Sequence, residues 1–157
     1  MFALYSIRRG FTVVELMVSI SIIALLATFT VPTYQLLLSQ QQLNSAVDQT
    51  SDLIRYAAQR TVTEQVVYGF TVTAGSTNVI MFQVNGSNQN ITSQTLALPS
   101  NIEVGTVSFS GNSSIRFSTA GAPSTSGSFT LRDTVRGKTR TIEVRPSGNV
   151  RTNTGEQ

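Results

Sequence analysis

The 157-residue sequence has no cysteine and no histidine. Without cysteine there is no disulfide and no thiol for a lipoprotein anchor. Without either residue there is no ordinary transition-metal site, and neither a Ser-His nor a Cys-His nucleophile can be assembled. The chain is therefore expected to be no enzyme and to use no metal or cofactor. Carboxylates remain, but Asp133 and Glu143 are too ordinary to suggest a glycosidase pair. Charge is scarce as well, and Leu16 to Val31 has none. No internal repeat interrupts this picture.

That uncharged run is where the chain becomes informative. Its polar side chains, Ser19, Ser21, Thr28 and Thr30, can all hydrogen-bond back to a helix. Extended through Leu38, it is long enough to cross a bilayer as one helix. Arg8 and Arg9 precede it and no positive charge follows before Arg55, so the positive-inside rule puts the N-terminus in the cytoplasm and the bulk of the chain outside. A cleavable secretory signal would need a small-residue site after the apolar core, which Ala24-Leu25-Leu26-Ala27 does not supply.

Glu15 is the anomaly. An acid in a membrane segment costs about 2.5 to 3.5 kcal/mol on insertion scales and is a functional candidate by default. A cut after Gly10 would make Phe11 the new N-terminus, with an amine largely protonated at neutral pH. Glu15 would then lie in the first helical turn, where the helix dipole favours an anion. In a bundle of such helices, the carboxylate of one chain can neutralise the amine of a neighbour.

The basic leader ending in Gly10, followed by Phe11-Thr12-Val13-Val14-Glu15-Leu16-Met17-Val18, resembles the class III leader of type IV pilins and type II secretion pseudopilins. The resemblance implies cleavage between Gly10 and Phe11 by a prepilin peptidase, N-methylation of Phe11, and a role for Glu15 in registering subunits during assembly. Partners would be other pilins, through the N-terminal helix. The chain would sit in the bacterial inner membrane as a single pass, then in a periplasmic pseudopilus or a surface pilus. Pro32 falls where many members carry a helix-kinking proline. The lack of cysteine removes the C-terminal disulfide loop common in major pilins, which points to a minor subunit.

Pro32 removes a backbone donor and clashes with the carbonyl of Thr28, so a kink is expected there. Beyond it the pattern becomes one-sided: Leu36, Leu43, Ala46, Val47, Thr50, Leu53, Ile54 and Ala57 recur at helical spacing. The expected organisation is a leader over 1–10, a long helix over 11–60 (about 11–35 for membrane and assembly, 36–60 amphipathic) and a β-rich domain over 61–157. Expected strands are Gln65–Val72, Asn78–Val84, Gln94–Leu98, Glu103–Phe109, Ser114–Phe117, Ser128–Thr134, Thr139–Arg145 and Val150–Thr152. Turns fall at Asn85-Gly86, Gly111-Asn112, Arg136-Gly137 and Ser147-Gly148, with exposed loops at Asn85–Ser93 and Ala120–Gly127. The expected core is Val67, Phe70, Ile80, Phe82, Leu98, Phe109, Phe117, Phe129, Leu131, Ile142 and Val144.

The segments Ser114–Phe117, Ser128–Leu131, Arg140–Arg145 and Ser147–Arg151 are similar to the C-terminal domain of GspH/FimT minor pseudopilins. This likeness implies an α+β pilin fold: a long N-terminal helix packed on two small antiparallel sheets. It also implies a minor subunit acting in fibre assembly or priming of the tip complex. Some members of that group bind DNA for natural transformation through a Gly-Arg-x-Arg motif. The matching positions here, Gly148-Asn149-Val150-Arg151, lack the first arginine.

Loss of residues 1–10 lowers the formal charge from +3 to +1, but residues 55–157 carry nine bases against five acids. Arg116, Arg132, Arg136, Lys138, Arg140, Arg145 and Arg151 face only Asp133 and Glu143 over the same interval. Arg132, Arg136, Lys138, Arg140, Arg145 and Arg151 are therefore candidates for DNA binding by counterion release, although no aromatic is interleaved to stack bases. The competing readings are a solvated hairpin face with Arg132 or Arg145 paired to Glu143, or salt bridges to other subunits.

Overall fold

The computed structural model describes residues 10–109 and 113–154, without the side chains of 29–33 and 154. One helix, α1 (Val13–Glu64), precedes eight strands: β1 (Tyr68–Val72), β2 (Asn78–Val84), β3 (Asn90–Ala97), β4 (Ile102–Phe109), β5 (Ser114–Arg116), β6 (Gly127–Asp133), β7 (Thr139–Val144) and β8 (Val150–Thr154). They form two four-stranded antiparallel sheets, ordered β3-β2-β1-β5 and β4-β6-β7-β8. The fold is α+β, a helix on two small antiparallel sheets. The chain divides into two compact units, Met1–Leu38 and Ser39–Gln157.

In the second unit, α1 buries Leu43, Ala46, Val47, Thr50, Leu53, Ile54 and Ala57, the expected stripe without Leu36, which is exposed and belongs to the first unit. Against it lie the inner faces of both sheets. Phe70 is central, its ring 6.1 to 6.3 Å from those of Phe109, Phe117 and Phe129, within the range of favourable aromatic pairing. Ile115, Leu131, Ile142 and Val144 complete the layer with no exposed surface.

The expected core needs correction in β2. Val79 and Met81 are the inward residues, while Ile80 and Val67 are only half-buried. Phe82 is buried but stands apart from this core. It pairs with Gly69 on β1, and a Cβ at Gly69 would meet the Phe82 ring at 2.6 Å. The missing side chain of Gly69 leaves room for the aromatic ring, so the apolar parity of β2 read from the sequence is misleading.

α1 continues four residues beyond the expected Arg60. The β-branched Thr61-Val62-Thr63 reads as strand, but local bonds hold it helical: Thr61 Oγ1 donates to the Ala57 carbonyl at 2.8 Å and accepts the Tyr68 N–H at 3.1 Å. The helix ends at Gln65, whose φ of 55° supplies the left-handed cap usually given to glycine. Arg60 donates to Glu64 at 2.6 Å and lies over the rings of Tyr56 and Tyr68, and the Tyr68 hydroxyl donates to Glu64 at 2.5 Å. The Tyr68 and Arg60 hydrogen bonds hold the Glu64 carboxyl below its ordinary value. Bonding to that carboxylate, together with burial, raises the Tyr68 hydroxyl.

The loop expected over Asn85–Ser93 is shorter. Asn85 Oδ1 accepts the N–H groups of Ser87 and Gln89, closing a tight turn, and β3 begins at Asn90. The turn expected at Gly111-Asn112 lies outside the described residues, and the bend expected at Pro32 falls where side chains are not described. The helix assignment itself runs unbroken through position 32.

Candidate functional site

Two features concentrate chemistry: the start of α1 and the outer face of the second sheet. Gly10, Phe11 and Thr12 precede the first helical residue, Val13. Thr12 is the N-cap. Its hydroxyl accepts the Glu15 N–H at 3.2 Å, and the Glu15 carboxylate accepts the Thr12 N–H and hydroxyl, each at 3.3 Å. This is a reciprocal capping box, which satisfies two otherwise orphaned donors. Thr12 is missing from the candidate residues above, although its signal, Thr-x-x-Glu before an apolar run, is local.

The capping box sets the helix start and leaves Gly10 and Phe11 outside it, both exposed. From Phe11, 80% exposed, through Leu16, Met17, Ile20, Ile23 and Leu26, large apolar side chains stand uncovered. Ser19, Ser21 and Thr28 donate to the carbonyls four residues back at 2.7 to 2.9 Å, so their hydroxyls add no unmet polarity. Glu15 is the one ionisable residue between Gly10 and Thr28. Among the described residues no helix is long and apolar enough to cross a membrane. Val13–Thr28 spans about 24 Å, short of a hydrocarbon core of about 30 Å; residues 29–33, which continue the expected span, lie outside the described side chains.

In the second sheet, alternation separates the candidate basic residues. Arg132, Arg145 and Arg151 belong to the outer face with Glu103 and Glu143: Arg132 stands opposite Glu103, and Arg151 opposite Glu143. Arg145 Nε lies 3.5 Å from Glu143. Arg136 and Lys138 belong to the β6–β7 turn. Arg140 shares the inner parity of Ile142 and Val144, and its guanidinium donates to Asn44 of α1 at 3.1 Å. Arg116 lies in the other sheet, donating to Asn88 and Asn90, both at 2.9 Å. The structure thus places Arg132, Arg145 and Arg151 on one face, leaves Arg136 and Lys138 in the turn at the end of β6, and turns Arg140 away.

Beneath the turn, Asp133 is 1% exposed. It accepts the Ser39 hydroxyl and the N–H groups of Val135 and Arg136, linking the hairpin to the first residue of the second unit. Shallow grooves of about 400 and 460 Å³ lie at either end of the outer face, lined mainly by Ser, Thr and Gly. Among the described residues no cluster of three or more carboxylates could hold a metal.

The family model for the prokaryotic N-terminal methylation motif matches residues 6–31. The model for type II transport protein GspH matches residues 46–148, about two thirds of the chain. The chain belongs to the GspH family. This is a family of structural pilin and pseudopilin subunits, and membership carries with it N-terminal processing and assembly with other pilins. The fold is similar to that of the minor pseudopilin EpsH from the type II secretion system of Vibrio cholerae, with a TM-score of 0.62 at 8% identity, covering 74% of this chain and 97% of that one. It is also similar to the type IV minor pilin FimU of Pseudomonas aeruginosa, with a TM-score of 0.57 at 12% identity, covering 73% and 90%. No curated protein matches the sequence.

Proposed function

We propose that this GspH-family chain is a minor subunit of a type II secretion pseudopilus or a type IV pilus, acting in fibre assembly or priming of the tip. A prepilin peptidase cuts between Gly10 and Phe11, Phe11 is N-methylated, and the chain waits in the inner membrane with its N-terminus cytoplasmic. The observation that carries this reading is Glu15, the single ionisable group on the Val13–Thr28 stretch of α1, whose large apolar side chains stand exposed. Such a surface is stable only against lipid or other apolar helices.

Extraction into the fibre exchanges lipid contacts for helix contacts. Pairing the Glu15 carboxylate with the N-terminal amine of a neighbour then removes two charges from a low-dielectric medium together, where each alone is costly. Replacing Glu15→Ala is expected to abolish recovery of the chain in sheared fibres while leaving cleavage and the fold of the second unit intact. Normal incorporation of that variant would sink the role.

A second reading, DNA capture during natural transformation, draws on Arg132, Arg145 and Arg151 sharing one sheet face, with Arg136 and Lys138 in the turn between β6 and β7. Glu143 beside Arg145 and Glu103 opposite Arg132 dilute that field, and Arg140 is spent on Asn44. We therefore favour the assembly role. Labelled duplex DNA offered at about 50 and 200 mM salt tests the choice, since phosphate-driven binding falls steeply over that range. Tight binding lost on joint replacement of Arg145→Ala and Arg151→Ala would reverse it.

A further inference from the structure

The first sheet holds a single charge, Arg116 on β5. Between Glu64 and Arg132 the sequence carries one other charged residue, Glu103, which belongs to β4 of the second sheet. Arg116 stands opposite Gly69 of β1, and Gly69 stands opposite Phe82 of β2. Gly69 places no side chain in that row, and the guanidinium reaches the far hairpin, donating to Asn88 Oδ1 and Asn90 Oδ1, both at 2.9 Å. Asn88 is set for this by its turn: it has a left-handed φ of 59°, which asparagine tolerates, and its N–H donates to the Asn85 carbonyl at 2.9 Å.

Two amide oxygens fix the guanidinium without neutralising it. Among the described residues no carboxylate pairs with it, and its remaining N–H groups have no acceptor. Arg116 lines a groove of about 510 Å³ together with Val67, Val84, Ala122 and Pro123, and no other described ionisable residue borders it. A planar guanidinium with free N–H groups takes a carboxylate or a phosphate through paired bonds. A polyanion needs several cations along its track, and this sheet has one. A lone cation beside apolar walls fits a carboxylate with an apolar neighbour.

We infer that this groove takes an acidic segment of a different fibre subunit, whose Asp or Glu carboxylate pairs with Arg116 while the adjacent apolar side chain packs on Val84 and Pro123. A second copy of this chain is a poor source of that acid. Asp52, Glu64 and Glu143 pair with arginines of their own chain, Glu103 stands opposite Arg132, and Asp133 is buried. The inference rests on the reading of this chain as a fibre subunit.

Ala122 is exposed and bonded through its backbone alone. It is replaced by the photo-crosslinking residue p-benzoylphenylalanine in the full-length chain, and cells that assemble the fibre are irradiated before shearing. The expected result is an adduct with another pilin subunit, whose cross-linked peptide contains an Asp or Glu next to an apolar residue. Arg116→Glu should lower the adduct per recovered chain at least several-fold, as should replacing the partner's acid by its amide. Exchanging that acid for Arg should restore the adduct to Arg116→Glu, or return that variant to fibres if it fails to enter them. An arginine that only bridges β5 to the β2–β3 turn would show no such rescue, so its failure overturns the inference. No adduct within fibres, an adduct indifferent to Arg116→Glu, or one with a second copy, lipid or nucleic acid overturns it also. Absence of the unsubstituted chain from fibres by immunoblot would sink the subunit reading itself, a failure distinct from these.

Discussion

Between Leu16 and Thr28, apolar side chains occupy every face of α1 and stand exposed; between Leu43 and Ala57 they form one stripe and are buried. One helix thus carries two solutions to the same problem. The one-sided stretch meets its partners within its own chain, where Phe70, Phe117 and Phe129 supply a core. Among the described residues of its own unit the all-round stretch has no comparable core, and an apolar surface of this kind is stable against lipid or other apolar helices. Polar groups follow the same division. In the first stretch hydroxyls fold back on the helix and Glu15 caps it, whereas in the second Asp133 and Thr61 tie the helix to strands.

This contrast is open to attack in order of expected effect. Phe70→Ala removes the ring at the centre of the aromatic cluster and should cost the second unit about 3 to 5 kcal/mol in denaturant unfolding, while cleavage after Gly10 proceeds as before. Loss of cleavage in that variant would join what the comparison keeps separate. Asp133→Ala strands the Ser39 hydroxyl and two backbone donors, for a loss of about 2 to 3 kcal/mol by the same measurement.

Tyr68→Phe should cost about 1 kcal/mol and also change the pH dependence. The Glu64 carboxyl is held below its ordinary value, so its contribution is present above that value and lost as pH falls through the lowered one. The Tyr68 hydroxyl is raised, so its contribution is complete below its ordinary value and lost as pH climbs through the raised one. Thermal midpoints across both limits should vary less in Tyr68→Phe. Least of all, Thr50→Val should stabilise by about 1 kcal/mol, because the Thr50 hydroxyl is buried on the stripe with no partner among the described residues.

Several strands are legible in the sequence because β1, β4, β6 and β7 alternate apolar and polar residues against a single buried face. β3 escaped in part, since a strand exposed on both faces has no alternation to detect. The extension of α1 through Glu64 escaped for a related reason: β-branched residues there are held by a hydroxyl shared between Ala57 and Tyr68, a contact between residues seven apart. At the candidate site, Gly10, Phe11 and Glu15 are expected from the resemblance of the leader to that of pilins, whereas Thr12 enters through the capping bonds it shares with Glu15, although that pattern is local.

Local chemistry was enough for the leader, the apolar helix, the amphipathic stripe and the inventory that lacks thiols and imidazoles, since each depends on residues a few positions apart. Pairing across the sheets decided the rest. It buried Asp133 under a hairpin, folded Phe82 over Gly69, and set the Arg140 guanidinium on Asn44. Each of these follows from which strand lies beside which, a relation between residues distant in the chain that no local spacing encodes.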